Sequence, residues 1–346
     1  MTEPAELLLE GPRGRRLCLE LAAALDEDIG SAVFWLGYEL DPGKGTSRVL
    51  FGSADPAERP SPEHLAGTIL SLDLRRMDDE QICAALQRSV DSARYWQAPE
   101  GEDALAALPV IRRALQPLAE RVLDTRAAQA WDSPGTPEQW SIDWRPAEDP
   151  APLPRNPRGI LQKWGEAVRA EEAQAERDRP QDPRAAFSGT WWSAPLGLVR
   201  TAGQIPAGLS LVEDSAGLDE ATVIPVSGIG RILDIRSPAD WMTLCRAYPL
   251  EVTASRRHNW FQTTGRIGRW VIPDWERAAG QWDAVHLTVL GYLRSAGRAL
   301  DVDAGTASVI AGWDPDSTLW LTDRAREVNG PRQVWRRSED TWIRVA

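Results

Sequence analysis

The chain has 346 residues, 42% hydrophobic and 26% charged, a globular balance that excludes disordered, collagen-like and coiled-coil architectures. Its length is about twice that of a usual single domain and predicts two domains. A formal net charge of -12 argues against a binder of duplex nucleic acid and favours a small-molecule or protein partner.

Three cysteines, Cys18, Cys83 and Cys245, stand at long spacings that suit buried thiols in a reducing cytoplasm and supply no disulfide or metal framework. The acidic stretch Met1 to Glu10 lacks a basic leader and a long apolar run, so secretion and membrane insertion are both disfavoured. Of the 17 tryptophans only Trp35 and Trp96 precede residue 130. Residues 1–135 carry 14 Lys and Arg against 23 Asp and Glu, so the acidity belongs mostly to the first part. The expected division is an acidic, mainly helical domain over 1–130, a Pro-rich linker with one short strand over 131–157, and a Trp-rich α+β domain over 158–346.

In the first part Leu17, Leu21 and Leu25 recur at helical spacing, as do Ile82, Leu86 and Val90. Leu108, Ile111, Leu115, Leu118 and Val122 predict a third helix, kinked at Pro117. Ser31 to Leu40 reads as a strand or a buried helix, and turn-rich loops follow at Asp41 to Gly45 and Asp55 to Pro62, with room for a short hairpin. Arg13-Gly-Arg-Arg16 reads as a solvated helix end.

Prolines interrupt Trp131 to Pro157 around an isolated strand at Trp140 to Trp144. Asn156-Pro157 then predicts a capped helix to about Arg177, with Ile160, Leu161, Trp164 and Val168 buried. Strands follow at Gly189 to Ala194, Thr222 to Val226, Arg231 to Ile235, Val285 to Val289, Ser308 to Trp313, Thr318 to Leu321, Gln333 to Arg336 and Thr341 to Val345. Ser237-Pro238-Ala-Asp240 and Pro273-Asp274 open two short helices.

Several chemistries drop out. His64, His258 and His286 form no metal-binding spacing, and neither a nucleophile elbow nor a phosphate-binding loop of the GxxxxGK type occurs. Gly228-Ile-Gly230 lacks a third glycine and enters a strand, which removes a Rossmann loop. The sharper signal is the ordered series Phe187-Ser-Gly-Thr-Trp-Trp-Ser193, the capped helix after Ile232-Leu-Asp-Ile235, the Asp274-Trp275 helix, Asp283-Ala-Val-His286-Leu287 and Trp313-Asp-Pro-Asp-Ser-Thr-Leu-Trp320. This series resembles uncharacterised bacterial proteins with an ADP-ribosyltransferase-like fold, over roughly residues 186–323.

The resemblance implies a mixed, split-sheet domain that grips NAD in extended form as a substrate and transfers ADP-ribose to a protein or small-molecule acceptor, with loss of nicotinamide. It assigns Arg145 to the first core strand as the cation for the adenosine or ribose side. Ser193 shapes the nicotinamide pocket, and Trp191 or Trp192 stacks the ring. A carboxylate is normally required to stabilise the oxocarbenium-like charge. His286 stands where that acid is expected, so Asp283, Asp314 or Asp316 must replace it, or the chain binds the nucleotide without turnover. The bland alternatives are core packing for the tryptophans, a strand end at Ser193, a linker role for Arg145 and a turn at Asp314-Pro-Asp-Ser. His286, on the face opposite Val285 and Leu287, is expected to be exposed or to line a cleft. The reading from another class is a non-catalytic interaction protein.

Overall fold

The computed structural model describes residues 4–45, 60–149, 151–339 and 341–345. The first part is helical, and its helix starts follow local capping chemistry. The helix Pro12–Leu25 carries the Leu17, Leu21 and Leu25 stripe inward, and Asp26 ends it and caps the next helix by accepting the N–H groups of Asp28 and Ile29. That helix, Glu27–Leu40, settles the strand-or-helix alternative in favour of helix. Asp78 and Gln81 form a reciprocal capping box for the helix Asp79–Asp91. Pro117 divides the third predicted helix into Pro109–Ala114 and Gln116–Leu123. The turns around Asp41 to Gly45 are seen, whereas most of the second loop, and the room for a hairpin, lie outside the described residues.

The Arg13 to Arg16 run is not a solvated helix end. Arg13 and Arg16 are buried, and Asp103 of the helix Gly101–Ala107 pairs with Arg13. Arg16 pairs with Glu20 at 2.7 Å. The net charge of a segment says nothing about which of its cations have a carboxylate placed against them, and here burial follows the pairing.

Among the described residues thirteen strands follow. They are β1 (Glu138–Asp143), β2 (Arg200–Ala202), β3 (Glu220–Gly228), β4 (Ile232–Ile235), β5 (Pro249–Glu251), β6 (Arg269–Pro273), β7 (Ala284–Leu287), β8 (Leu300–Asp303), β9 (Thr306–Ser308), β10 (Ser317–Trp320), β11 (Ala325–Glu327), β12 (Gln333–Ser338) and β13 (Thr341–Arg344). Nine of them form one mixed sheet in the order β13-β12-β3-β1-β2-β10-β7-β4, with β11 also on β3, and β5-β6-β9-β8 form a second. The fold is therefore α+β. The short strand expected within the proline-rich stretch is not isolated, since β1 pairs with β3 on one side and β2 on the other. Gly189 to Ala194 is not a strand. Its Ser193 instead bonds across to Ala311.

Asn156 caps the helix Pro157–Asp178 in a left-handed conformation, accepting the Gly159 N–H at 3.1 Å. This helix packs on Thr253–Thr264, which the periodicity does not show because its buried side chains include Arg256, Arg257, His258 and Asn259. Glu171 and Glu176 of the first helix balance Arg256 and Arg257. Trp241, Trp275 and Trp313 form a fully buried triangle with ring centroids 5.6 to 6.1 Å apart. One continuous core joins this triangle to Leu17, Leu86 and Leu118 of the helical part. Trp191 packs on Trp96 at 4.9 Å, and Asn259 donates to the Trp96 carbonyl at 3.1 Å.

Candidate functional site

The large sheet opens along one seam. All six residues of β1 pair with β3, but β1 meets β2 only at Trp140 and Ala202, beyond which the two strands separate. A cleft of about 560 Å3 occupies the opening, a size suited to a small organic ligand. Its walls come from Ser141 to Arg145, from Leu196 to Ala202, and from Leu153, Leu211, Val212, Ile224 and Asp314. Trp144 supplies its aromatic surface and packs against Trp342 at 5.7 Å.

Among the described residues two cations line the cleft, and they differ in their partners. Arg145 is exposed at the rim and folds back on Asp143, donating to both carboxylate oxygens at 2.9 and 2.6 Å. That contact holds the Asp143 carboxyl below its usual range. Arg200 on β2 has no such partner. Its guanidinium donates only to the carbonyls of Gly312 and Pro195, at 3.3 and 3.4 Å, and no carboxylate among the described residues comes within 4.0 Å of it. Burial works against its charge, and Asp314 and Glu213 support that charge from a greater distance.

The segment Ala311 to Asp314 leads to the floor, which it lines at Asp314. Gly312 has φ +72°, and a β-carbon there would stand 2.9 Å from Cβ of Trp192, so both the turn and the close approach require glycine. The turn directs the Gly312 carbonyl at Arg200 and its N–H at Glu213 Oε2, 3.1 Å away. Asp314 Oδ1 accepts the Glu213 N–H at 2.9 Å. Burial pushes the Asp314 carboxyl up. The site thus holds one cation without a close counterion beside one acid whose carboxyl burial raises.

The residues singled out in the sequence fall in different places. Arg145 and Asp314 share the cleft. Trp192 and Ser193 do not line it but support its floor. Ser193 is fully buried, its hydroxyl donates to the Ala311 carbonyl at 3.2 Å and accepts the Ala311 N–H at 3.1 Å, and its carbonyl accepts the Trp275 indole N–H at 3.0 Å. Trp191 belongs to the packing between the two parts of the chain.

His286 is neither exposed nor a wall of this cleft. It is buried on β7, in register with Thr318 of β10 and Asp234 of β4, and Gly135 lies over its ring. Its Nδ1 is 3.0 Å from the Thr318 hydroxyl and its Nε2 is 3.8 Å from Asp316. Asp283 precedes β7 and has structural partners, accepting the Arg231 N–H at 2.8 Å and the Thr322 hydroxyl at 2.9 Å. The Arg231 bond is foremost in lowering its carboxyl.

Arg200 and Glu213 escaped the sequence reading. Each carries one local sign, a charge directly after an apolar pair, in Leu198-Val199-Arg200 and Leu211-Val212-Glu213. Among the described residues no group of three or more His, Cys, Asp and Glu is arranged to hold a metal ion, and no helix is long and apolar enough to cross a membrane. Comparison with protein-family models, curated proteins and solved structures returns no match.

Proposed function

We propose that the protein binds NAD in the cleft between β1 and β2 and transfers its ADP-ribose to an acceptor. One observation carries the reading. Arg200 is a half-buried cation that lines the cleft with no carboxylate of the described residues inside ion-pairing distance, an arrangement that favours an anionic ligand such as a diphosphate. Arg145 stands at the rim as a second, already neutralised cation, and Trp144 offers a face for a planar ring. A sheet opened between two strands agrees with the split core that the resemblance implies. In place of Arg145 and His286, the reading rests on Arg200 for the anion and Asp314 for the acid.

The bond from ribose C1′ to nicotinamide nitrogen breaks and nicotinamide leaves with the electron pair. The acceptor atom bonds to C1′ and its proton passes to Asp314, whose carboxylate also stabilises the positive charge on the ribose. A cytoplasmic setting fits the three free cysteines.

Calorimetric titration with NAD tests binding without knowledge of the acceptor. Micromolar to submillimolar affinity in the native chain, weakened at least about tenfold in Arg200→Gln, is the expected result; no heat at millimolar NAD, at two temperatures, would overturn it. A second reading, binding without turnover, is favoured by Asp314 Oδ1 being already engaged by the Glu213 N–H. Nicotinamide release, measured against a chain with Asp314→Asn, separates the two.

A further inference from the structure

Glu213 stands where the helical part meets the floor of the cleft, and the groups around it come from several elements. On the cleft side are Asp314, which accepts the Glu213 N–H, and Arg200 of β2. On the other side are Tyr292 of the helix Val289–Ser295 and Tyr95, which follows Asp79–Asp91. Their hydroxyls lie 3.2 Å apart and face the Glu213 carboxyl. Behind them is Arg13 of Pro12–Leu25, whose charge is already balanced by Asp103. A chain of polar groups thus runs from the interior of the helical part to the cleft.

The charges of that chain do not close if Glu213 is ionised. Arg13 and Asp103 cancel, and Arg200 then faces two carboxylates, Glu213 and Asp314. Glu213 Oε2 accepts the Gly312 N–H, but Oε1 is buried and receives no hydrogen bond of good geometry. A charged oxygen in that position is costly, whereas a proton on the carboxyl removes both the charge and the unmet acceptor. With Glu213 neutral, one carboxylate rather than two supports Arg200, and the guanidinium is better able to take an anion from the cleft.

We propose that Glu213 is a proton-carrying positioning residue of the cleft, so that an anionic ligand on Arg200 binds together with one proton whenever Glu213 starts out ionised. The mechanical link is Gly312, whose N–H is held by Glu213 and whose carbonyl holds Arg200. Burial, then the neighbouring Asp314, pushes the Glu213 carboxyl up to about 8, against the opposing pull of Tyr292, Tyr95 and Arg13. Anion affinity is therefore level below neutral pH and falls as pH rises past that value, approaching tenfold per pH unit for a single linked proton. This inference rests on the reading of the cleft as an anion site.

Two measurements test it. In the ligand-free protein, the side-chain carboxyl 13C resonance of Glu213, assigned by its absence from Glu213→Gln, is expected to titrate near pH 8. Titration near the ordinary glutamate value would overturn the proposal. Next, the affinities of NAD and of inorganic pyrophosphate are measured from pH 6.5 to 9.5 in two buffers of different ionisation heat. The native chain is expected to weaken steeply above pH 8 and to take up close to one proton, while Glu213→Gln binds with the same affinity across the range. Tyr292→Phe, which removes a hydroxyl that favours the ionised form, is expected to move the break to higher pH, and an unmoved break would assign the proton elsewhere. Binding that ignores pH in the native chain overturns the coupling alone, and failure of both probes to bind at any pH overturns it together with the anion-site reading.

Discussion

The imidazole of His286 meets the hydroxyl of Thr318 at 3.0 Å, Nδ1 to Oγ1, beneath the covering Gly135, and its Nε2 is buried with no hydrogen-bond partner among the described residues. Burial lowers the imidazole pKa, despite the nearby Asp234. The unfolded chain therefore gains a proton at this residue before the folded one does. Stability that is full above about pH 6.5 should be lost as pH falls below that value, down to the folded-state pKa. Asp316 acts in the other direction, because burial raises its carboxyl to about 6 and makes stability fall as pH rises from the ordinary aspartate value to that point. Thermal melts between pH 5 and 7 are expected to show a smaller acid loss in His286→Asn than in the native chain. An equal loss in both would place the proton on another group.

Arg13 and Asp103 are a buried pair joining two helices, and Arg13 also donates to the Ser89 carbonyl at 2.8 Å and the Ser92 hydroxyl at 3.0 Å. Removing one charge leaves the other without its counterion, so Arg13→Leu should destabilise the chain by roughly 3–5 kcal/mol. Arg13→Leu with Asp103→Leu should recover part of that loss, because no uncompensated charge remains between them. Urea denaturation of the single and double variants measures both quantities. A double variant no more stable than the single one would assign the loss to Ser89 and Ser92 instead.

What the sequence conveyed of this fold was local. Asn156-Pro157 displayed its cap and first-turn proline, and the helix follows to Asp178. The apolar runs at Thr222 and Arg231 displayed strands because alternation and turn residues are neighbours in the chain. Thr253–Thr264 was hidden because its buried Arg256 and Arg257 are balanced by carboxylates some 80 residues earlier, which no periodicity reveals. The same holds at the site. Arg145 was visible as a charge beside a strand, yet its bond to Asp143 neutralises it, whereas Arg200 gains its character from what β2 is set against. Gly189 to Ala194 has a strand-like composition, but Ser193 is tied to Ala311 and Trp191 to Trp96.

The three thiols separate by position. Cys18 and Cys245 are fully buried and pushed up to about 12 by burial. Cys83, expected to be buried with them, is exposed. It stands one residue after Ile82 and so lies about 100° around the helix from the buried stripe of Ile82, Leu86 and Val90. Partial burial, then Asp79, raises its thiol. A thiol reagent should therefore label one cysteine in the folded chain, slowly at neutral pH and faster as pH rises, and all three in denaturant. Peptide mapping should find the native label on Cys83. Native labelling of Cys18 or Cys245 would contradict their packing.

Arg200 and Arg145 give the cleft two cations that substitution should distinguish. Arg145 shares its charge with Asp143 at the exposed rim, so Arg145→Gln is expected to change NAD affinity only a few-fold and stability by less than about 1 kcal/mol. Arg200 has no close counterion and only two long carbonyl contacts. A hydrogen bond to a charged group contributes about 1.5–3 kcal/mol, so Arg200→Met should weaken NAD binding by roughly 10- to 150-fold. The same substitution should leave the ligand-free melting temperature nearly unchanged, because it replaces a half-buried, poorly compensated charge with an apolar chain of similar reach. Calorimetry with NAD and melting without it read the two effects separately. Loss of melting temperature in Arg200→Met without loss of binding would make Arg200 a support for the Gly312 turn and leave the cleft without its anion-binding cation.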